Sequence, residues 1–173
     1  INDWPFTQLG VLDKNGDYYG QLGFEKGPWG RFSWDGEAIW MKNESIHHEI
    51  LLTDEHVYAF GREVHKYLGY DVGFSTIKQY EKNGRLIYEW KLYDHLDAFH
   101  EYYKFPAEKY RGAIPLKKNK FHENNSWGMD YDYYHLNSLQ IIPENDRVGE
   151  HALFKPGNWL ISFRKGSMLF ILD

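Results

Sequence analysis

The chain of 173 residues contains no cysteine, so disulfides and thiolate metal sites are excluded. It has no apolar run near the roughly 18 residues that a membrane-spanning helix needs. Although 42% of residues are hydrophobic, mean hydropathy is −0.67, which fits a protein with a wet surface. Basic residues are in deficit: 20 Lys and Arg face 25 Asp and Glu, for a net charge of −5. No basic footprint for nucleic acid results, although a few His and Arg can still bind an anion locally. Phosphate-cradling and dinucleotide-binding glycine loops are missing, as is a serine nucleophile elbow. Glu49, Glu89 and Asp97 form no recognisable glycosidase pair. The residues from Ile1 onward lack the basic and apolar regions of a signal peptide, so the expectation is a removed leader or an internal fragment.

The chain is instead rich in aromatics, with 14 Tyr, 11 Phe and 7 Trp. Such side chains favour the pleated, half-buried surface of a strand, and short strands recur. Leu9–Asp13 runs through Lys14-Asn15-Gly16 into Asp17–Leu22. Arg31–Trp34 runs through Asp35-Gly36 into Glu37–Met41, and Thr76–Glu81 through Lys82-Asn83-Gly84 into Arg85–Leu92. Asn-Gly and Asp-Gly signal hairpins, and the sequence predicts type I′ turns with positive φ at their centres.

A second segment type begins polar and turns apolar. Ile46–Leu52 precedes Val57–Phe60, and Tyr134–Pro143 precedes Asn158–Arg164. This is the profile of an inner propeller strand whose first residues line a channel. Ile46–Trp90 then supplies four strands, which make one blade, and Tyr134–Asp173 supplies three. The N-terminal hairpins supply parts of one or two earlier blades. The predicted fold is all-β, a β-propeller of four-stranded antiparallel blades, incomplete here, with about three blades of about six. Residues 1–173 read as part of a single propeller domain, with a long insertion at 93–133 between blades, in which Asp97–Tyr103 is a candidate helical turn. Open edges invite pairing, so missing C-terminal blades or a second chain are expected.

Several groups can carry chemistry. In an unbroken strand, residues two apart share a face, so His135 and Asn137 are expected to project together, with Leu139 and Ile141 continuing that face into the core. They are candidate donors to an anionic oxygen, or a pair that bonds a neighbouring blade. Aligning the apolar runs puts His48 level with Asn137, with His47 turned to the neighbouring sheet or the rim. Adjacent strand residues point to opposite faces, which argues against one metal ion held by both histidines. Arg164 ends an apolar strand and can bind an oxyanion through several fixed donors, or form a surface ion pair. In Asp94-His95-Leu96-Asp97 a carboxylate can orient an imidazole, or all four residues can be a solvated turn.

His47-His48-Glu49-Ile50, Ile87-Tyr88-Glu89-Trp90 with Tyr93-Asp94-His95-Leu96-Asp97, His135-Leu136-Asn137-Ser138 and Asn158–Arg164 occur in an order that resembles the arylsulfotransferase family, whose enzymes are PAPS-independent. The resemblance covers most of Arg31–Asp173. It implies a propeller of about six blades that moves a sulfuryl group from a phenolic sulfate to another phenol through a transient sulfohistidine. By the same resemblance, His48, His135, Asn137 and Arg164, with His47 beside them, bind the sulfate ester or a similar anionic small molecule. The nucleophilic His is expected beyond Asp173. No metal and no cofactor are implied, no nucleic acid or membrane span is expected, and the location is periplasmic or secreted. Glu49 stands where the family has Asp, Phe163 where Ser is frequent, and an insertion at 144–156 separates the Asn and Arg strands. Two other readings stand beside it: a non-catalytic propeller serving as a binding or assembly module, suggested by the absent last strand, the high Tyr and Trp content and the long insertion, and a metal-dependent hydrolase built on several of the nine His.

Overall fold

A computed structural model describes residues 6–23, 27–102, 113–115, 129, 131–164 and 167–173, without the side chains of 6–9, 102 and 113–115. The first four strands, β1 (Phe6–Leu12), β2 (Tyr18–Leu22), β3 (Trp29–Phe32) and β4 (Ala38–Lys42), form one antiparallel meander in sequence order. The N-terminal hairpins therefore build one sheet. A second sheet follows from β5 (His47–Leu52), β6 (His56–Tyr67), β7 (Tyr70–Glu81) and β8 (Leu86–Lys91), again antiparallel neighbours in order. The third holds β11 (Leu136–Ile141), β12 (Trp159–Phe163) and β13 (Met168–Leu172).

The long β7 has room for two partners on one edge. Thr76–Tyr80 takes β8, while Val72–Phe74 pairs in parallel with β10 (Tyr131–Tyr133), itself antiparallel to β9 (Ala113–Pro115). These two strands and the helix α1 (Leu96–Tyr102) come from the 93–133 segment. Residues 103–112, 116–128 and 130 of that segment lie outside the described residues, as does Tyr103 of the expected helical turn. Among the described residues the chain is all-β apart from this one helix and two 3-10 turns. The leading strand of the second sheet, β5, lies against both β1 and β11. The three sheets do not close on one another.

The three Gly-containing reversals fall where the sequence places them but use another turn. In each, the Gly N–H donates to the carbonyl three residues back: Gly16 to Asp13 at 3.1 Å, Gly36 to Ser33 at 2.9 Å and Gly84 to Glu81 at 2.9 Å. The glycines have φ near +90°, whereas Asn15, Asp35 and Asn83 do not reach positive φ. A type I turn closed by one left-handed glycine satisfies the hairpin as well as type I′ does. The type I′ requirement is met instead at Leu68-Gly69, φ 51° and 85°, between paired Tyr67 and Tyr70.

Two cores lie between the sheets. Tyr19 and Trp29 of the first sheet pack with Ile46, Ile50, Val57, Ala59 and Tyr80. On the other side, Tyr58, Phe60, Phe74, Ile77 and Trp90 pack with Leu136, Leu139, Ile161, Phe163 and Met168 of the third sheet, closed at one end by Leu96 and Phe99 of α1.

Candidate functional site

The expected inner strands β5 and β11 are both bulged near their starts. In β5 the register passes from His47↔Phe60 to Ile50↔Ala59, so His48 and Glu49 are extra. In β11 it passes from Leu136↔Phe163 to Ser138↔Ser162, so Asn137 is extra. A bulge breaks the two-residue alternation. Core-facing residues are therefore three apart, His47 with Ile50 and Leu136 with Leu139. The exposed His48 and Asn137 occupy matching places after them. Leu139 continues the face of Leu136, so the expected His135–Asn137–Leu139 stripe is interrupted.

His48 sits at φ 62°, and Tyr134 and His135 at 56° and 50°. Left-handed backbone costs roughly 1–2 kcal/mol for a residue with a Cβ, and such outliers cluster at working sites. Their effect here is geometric. The kink after β10 turns the His135 ring back toward Asp132, three residues earlier, while the β5 bulge lifts His48 toward it. His48 Nε2 and His135 Nε2 are hydrogen-bonded to each other, with ring centroids 4.5 Å apart. The His47 ring lies 5.1 Å from that of His48 and 6.0 Å from that of His135.

Behind these rings is a chain of polar groups. His135 Nδ1–H donates to Asp132 Oδ2, and the same oxygen accepts from Arg62 Nη2 at 3.2 Å. Arg62 and Asp132 expose only 7% and 5% of their side chains, which makes this a buried ion pair. Gly73, opposite Asp132 across β7 and β10, leaves the space: a Cβ there would run into Met129 Sδ and lie 2.9 Å from Arg62 Cδ. His47 Nε2–H donates to the Gly61 carbonyl at 3.1 Å, and its buried Nδ1 has no hydrogen-bond partner.

Arg164 belongs to the same cluster. Its backbone N–H donates to the His135 carbonyl at 2.9 Å, and its guanidinium is exposed. Asn137 is exposed and makes no hydrogen bond to the histidines among the described residues. Glu49 instead ties β5 to β11, with Oε2 accepting the Leu139 N–H at 3.4 Å. His95 stacks on Trp90, with rings 5.3 Å apart and 8° from parallel; among the described residues it forms no hydrogen bond or ion pair with Asp94 or Asp97. Also among the described residues, no group of three or more His, Asp or Glu is arranged to hold a metal ion, and no helix is long and apolar enough to cross a membrane.

Sequence reasoning overlooked Arg62 and Asp132. The available signals were a carboxylate three residues before His135 and an arginine directly after the apolar run Val57–Phe60 and Gly61.

The electrostatics favour neutral imidazoles on β5. Burial, then the Arg62 guanidinium and the two neighbouring rings, holds His47 well below its ordinary value. His48 is open on one side, yet partial burial, then His135 and Arg62, pushes it down to about 4, with Arg164 contributing and Asp132 opposing. An unfolded chain binds protons at these positions that the native state refuses. Stability from both histidines is therefore complete above pH ~6.5, the unperturbed value, and is lost as pH falls toward 4. Urea midpoints should fall from pH 7 to pH 5, and His48→Asn should flatten that slope. A slope unchanged by the substitution would show that His48 titrates normally.

The sequence model of the Arylsulfotransferase (ASST) family matches residues 18–172, which include the strands from β2 onward and the whole histidine cluster. Searches of curated proteins and of solved structures returned no match. The family match spans nearly the whole chain, and the chain belongs to the arylsulfotransferase family.

Proposed function

We propose that this chain is part of an arylsulfotransferase-like β-propeller, about three blades of about six, which binds a sulfate ester or similar anion where its inner strands meet. The observation that carries the reading is the meeting of His48, on β5, with His135, in the bend between β10 and β11, and of Arg164 tied to the His135 carbonyl. Imidazoles that take up a proton as the anion arrives, and a guanidinium already charged, are suited to neutralising sulfuryl oxygens as charge shifts in the transition state. Asn137, at the place in β11 that His48 holds in β5, is the remaining donor, and His47 backs the site from the core. The sulfuryl-accepting His lies outside this chain. The long segment 93–133 is an insertion between blades, and the protein works in the periplasm or outside the cell.

The test is titration of the chain with para-nitrophenyl sulfate, together with a transfer assay to a phenol by the whole gene product. His135→Ala or Arg164→Ala should weaken binding about ten- to hundredfold, the worth of a charge-assisted hydrogen bond. No binding by the unaltered chain and no transfer by the gene product would defeat the reading. A non-catalytic assembly module is the second reading, favoured by exposed Leu86, Ile87 and Tyr88 on β8 and Ile39 and Met41 on β4. Retention on other chains without aryl-sulfate binding would favour it.

A further inference from the structure

We infer that Asp132 is a positioning residue: buried behind the site and held by Arg62, it fixes the proton of His135 on Nδ1 so that Nε2 is the nitrogen offered to a ligand. The inference deepens the proposed anion-binding role, but its first readout stands apart from it.

A carboxylate accepts and does not donate. Asp132 Oδ2 faces His135 Nδ1, so that nitrogen carries hydrogen whatever the other one does. Nε2 then points away from the carboxylate, to His48 and the open side. The second nitrogen of a histidine is commonly fixed by a partner of this kind. Arg62 Nη2 donates to the same Oδ2 from β6 at 3.2 Å, which gives the carboxylate a second hold beside the imidazole.

Stability alone does not account for the arrangement. A buried ion pair is often no better than apolar residues of the same size, and Asp132 Oδ1 is buried with no hydrogen-bond partner. The chain also bends through two consecutive left-handed residues, Tyr134 and His135, and that bend brings the ring onto the carboxylate. At Gly73 a Cβ would run into Met129 Sδ and crowd Arg62 Cδ, so glycine there leaves the arginine its room. A strained turn, a buried charge pair and a glycine that admits the arginine thus converge on one imidazole nitrogen.

Asp132→Leu, made together with Arg62→Met so that no charge is stranded, tests this. Leucine offers no acceptor, so nothing holds hydrogen on His135 Nδ1, and the ring should revert to the Nε2–H form that a free neutral imidazole favours. Nitrogen NMR of the ring should show Nδ1 protonated in the unaltered protein. In the variant Nδ1 should be bare and the hydrogen on Nε2. The measurement on the unaltered protein decides the matter even if the variant does not fold: a bare Nδ1 there overturns the inference, as does an unchanged pattern in a folded variant.

Binding of para-nitrophenyl sulfate is measured beside it and tests only the anion-binding reading. If the unaltered chain does not bind the ester, the anion-binding reading fails and the NMR result still decides the role of Asp132.

Discussion

Arg62→Met is expected to lower the free energy of unfolding by about 3–5 kcal/mol, the cost of leaving one partner of a buried ion pair without the other. Methionine replaces most of the apolar stem, so lost packing is a small part of the effect. The larger part is the Asp132 carboxylate. It is 5% exposed, its Oδ1 is already without a hydrogen bond, and its Oδ2 would keep only the His135 N–H. Denaturant unfolding should show a lower midpoint with little change in slope, since the surface exposed on unfolding is nearly the same. The double variant Arg62→Met/Asp132→Leu leaves no stranded charge and should recover much of the loss. That non-additivity is the signature of direct coupling. A single-variant cost under about 1 kcal/mol, the ordinary worth of an exposed pair, would show that water reaches the carboxylate.

The parts of the fold legible in the sequence were those written in local chemistry. Each Asn-Gly or Asp-Gly reversal was marked by its own residues, and so was the presence of four strands between His47 and Lys91 and of three after His135, although the stretches 61–67 and 70–75 of two of them were not. The turn type was not legible, because one left-handed glycine and a type I turn close the same hairpin that a type I′ turn would. The reversal at Leu68-Gly69 carries no Asn or Asp to announce it.

The site divides in the same way. His48 and His135 were picked out by their place at the heads of strands that turn apolar. Their contact depends on backbone that alternation cannot foresee: a two-residue bulge in β5 and the bend at Tyr134-His135. Arg62 and Asp132 escaped notice because they are 70 residues apart and meet only when β10 joins β7 in parallel, a pairing made from within the 93–133 segment.

The other large effect is expected far from the histidines, where the first sheet joins the second. Trp29→Ala should cost about 3–5 kcal/mol, the usual range for a buried aromatic truncated in a core. The Trp29 ring is fully buried, with Tyr80 of β7 and Trp40 of β4 each centred 5.2 Å away in edge-on contact. Its Nε1–H also reaches Glu44 Oε1 at 3.4 Å, an oxygen that accepts the Tyr80 hydroxyl as well. Alanine would thus open a cavity and remove a donor from a carboxylate that bridges the sheets. The first sheet has few other anchors in this core, with Tyr19 its other fully buried member. The loss should therefore fall unevenly. Hydrogen exchange is expected to lose protection across β1–β4 first, while β6 and β7, paired over 12 residues each, keep theirs, as sub-global opening requires. Uniform loss over all three sheets would instead show that the first sheet does not unfold as a separate unit.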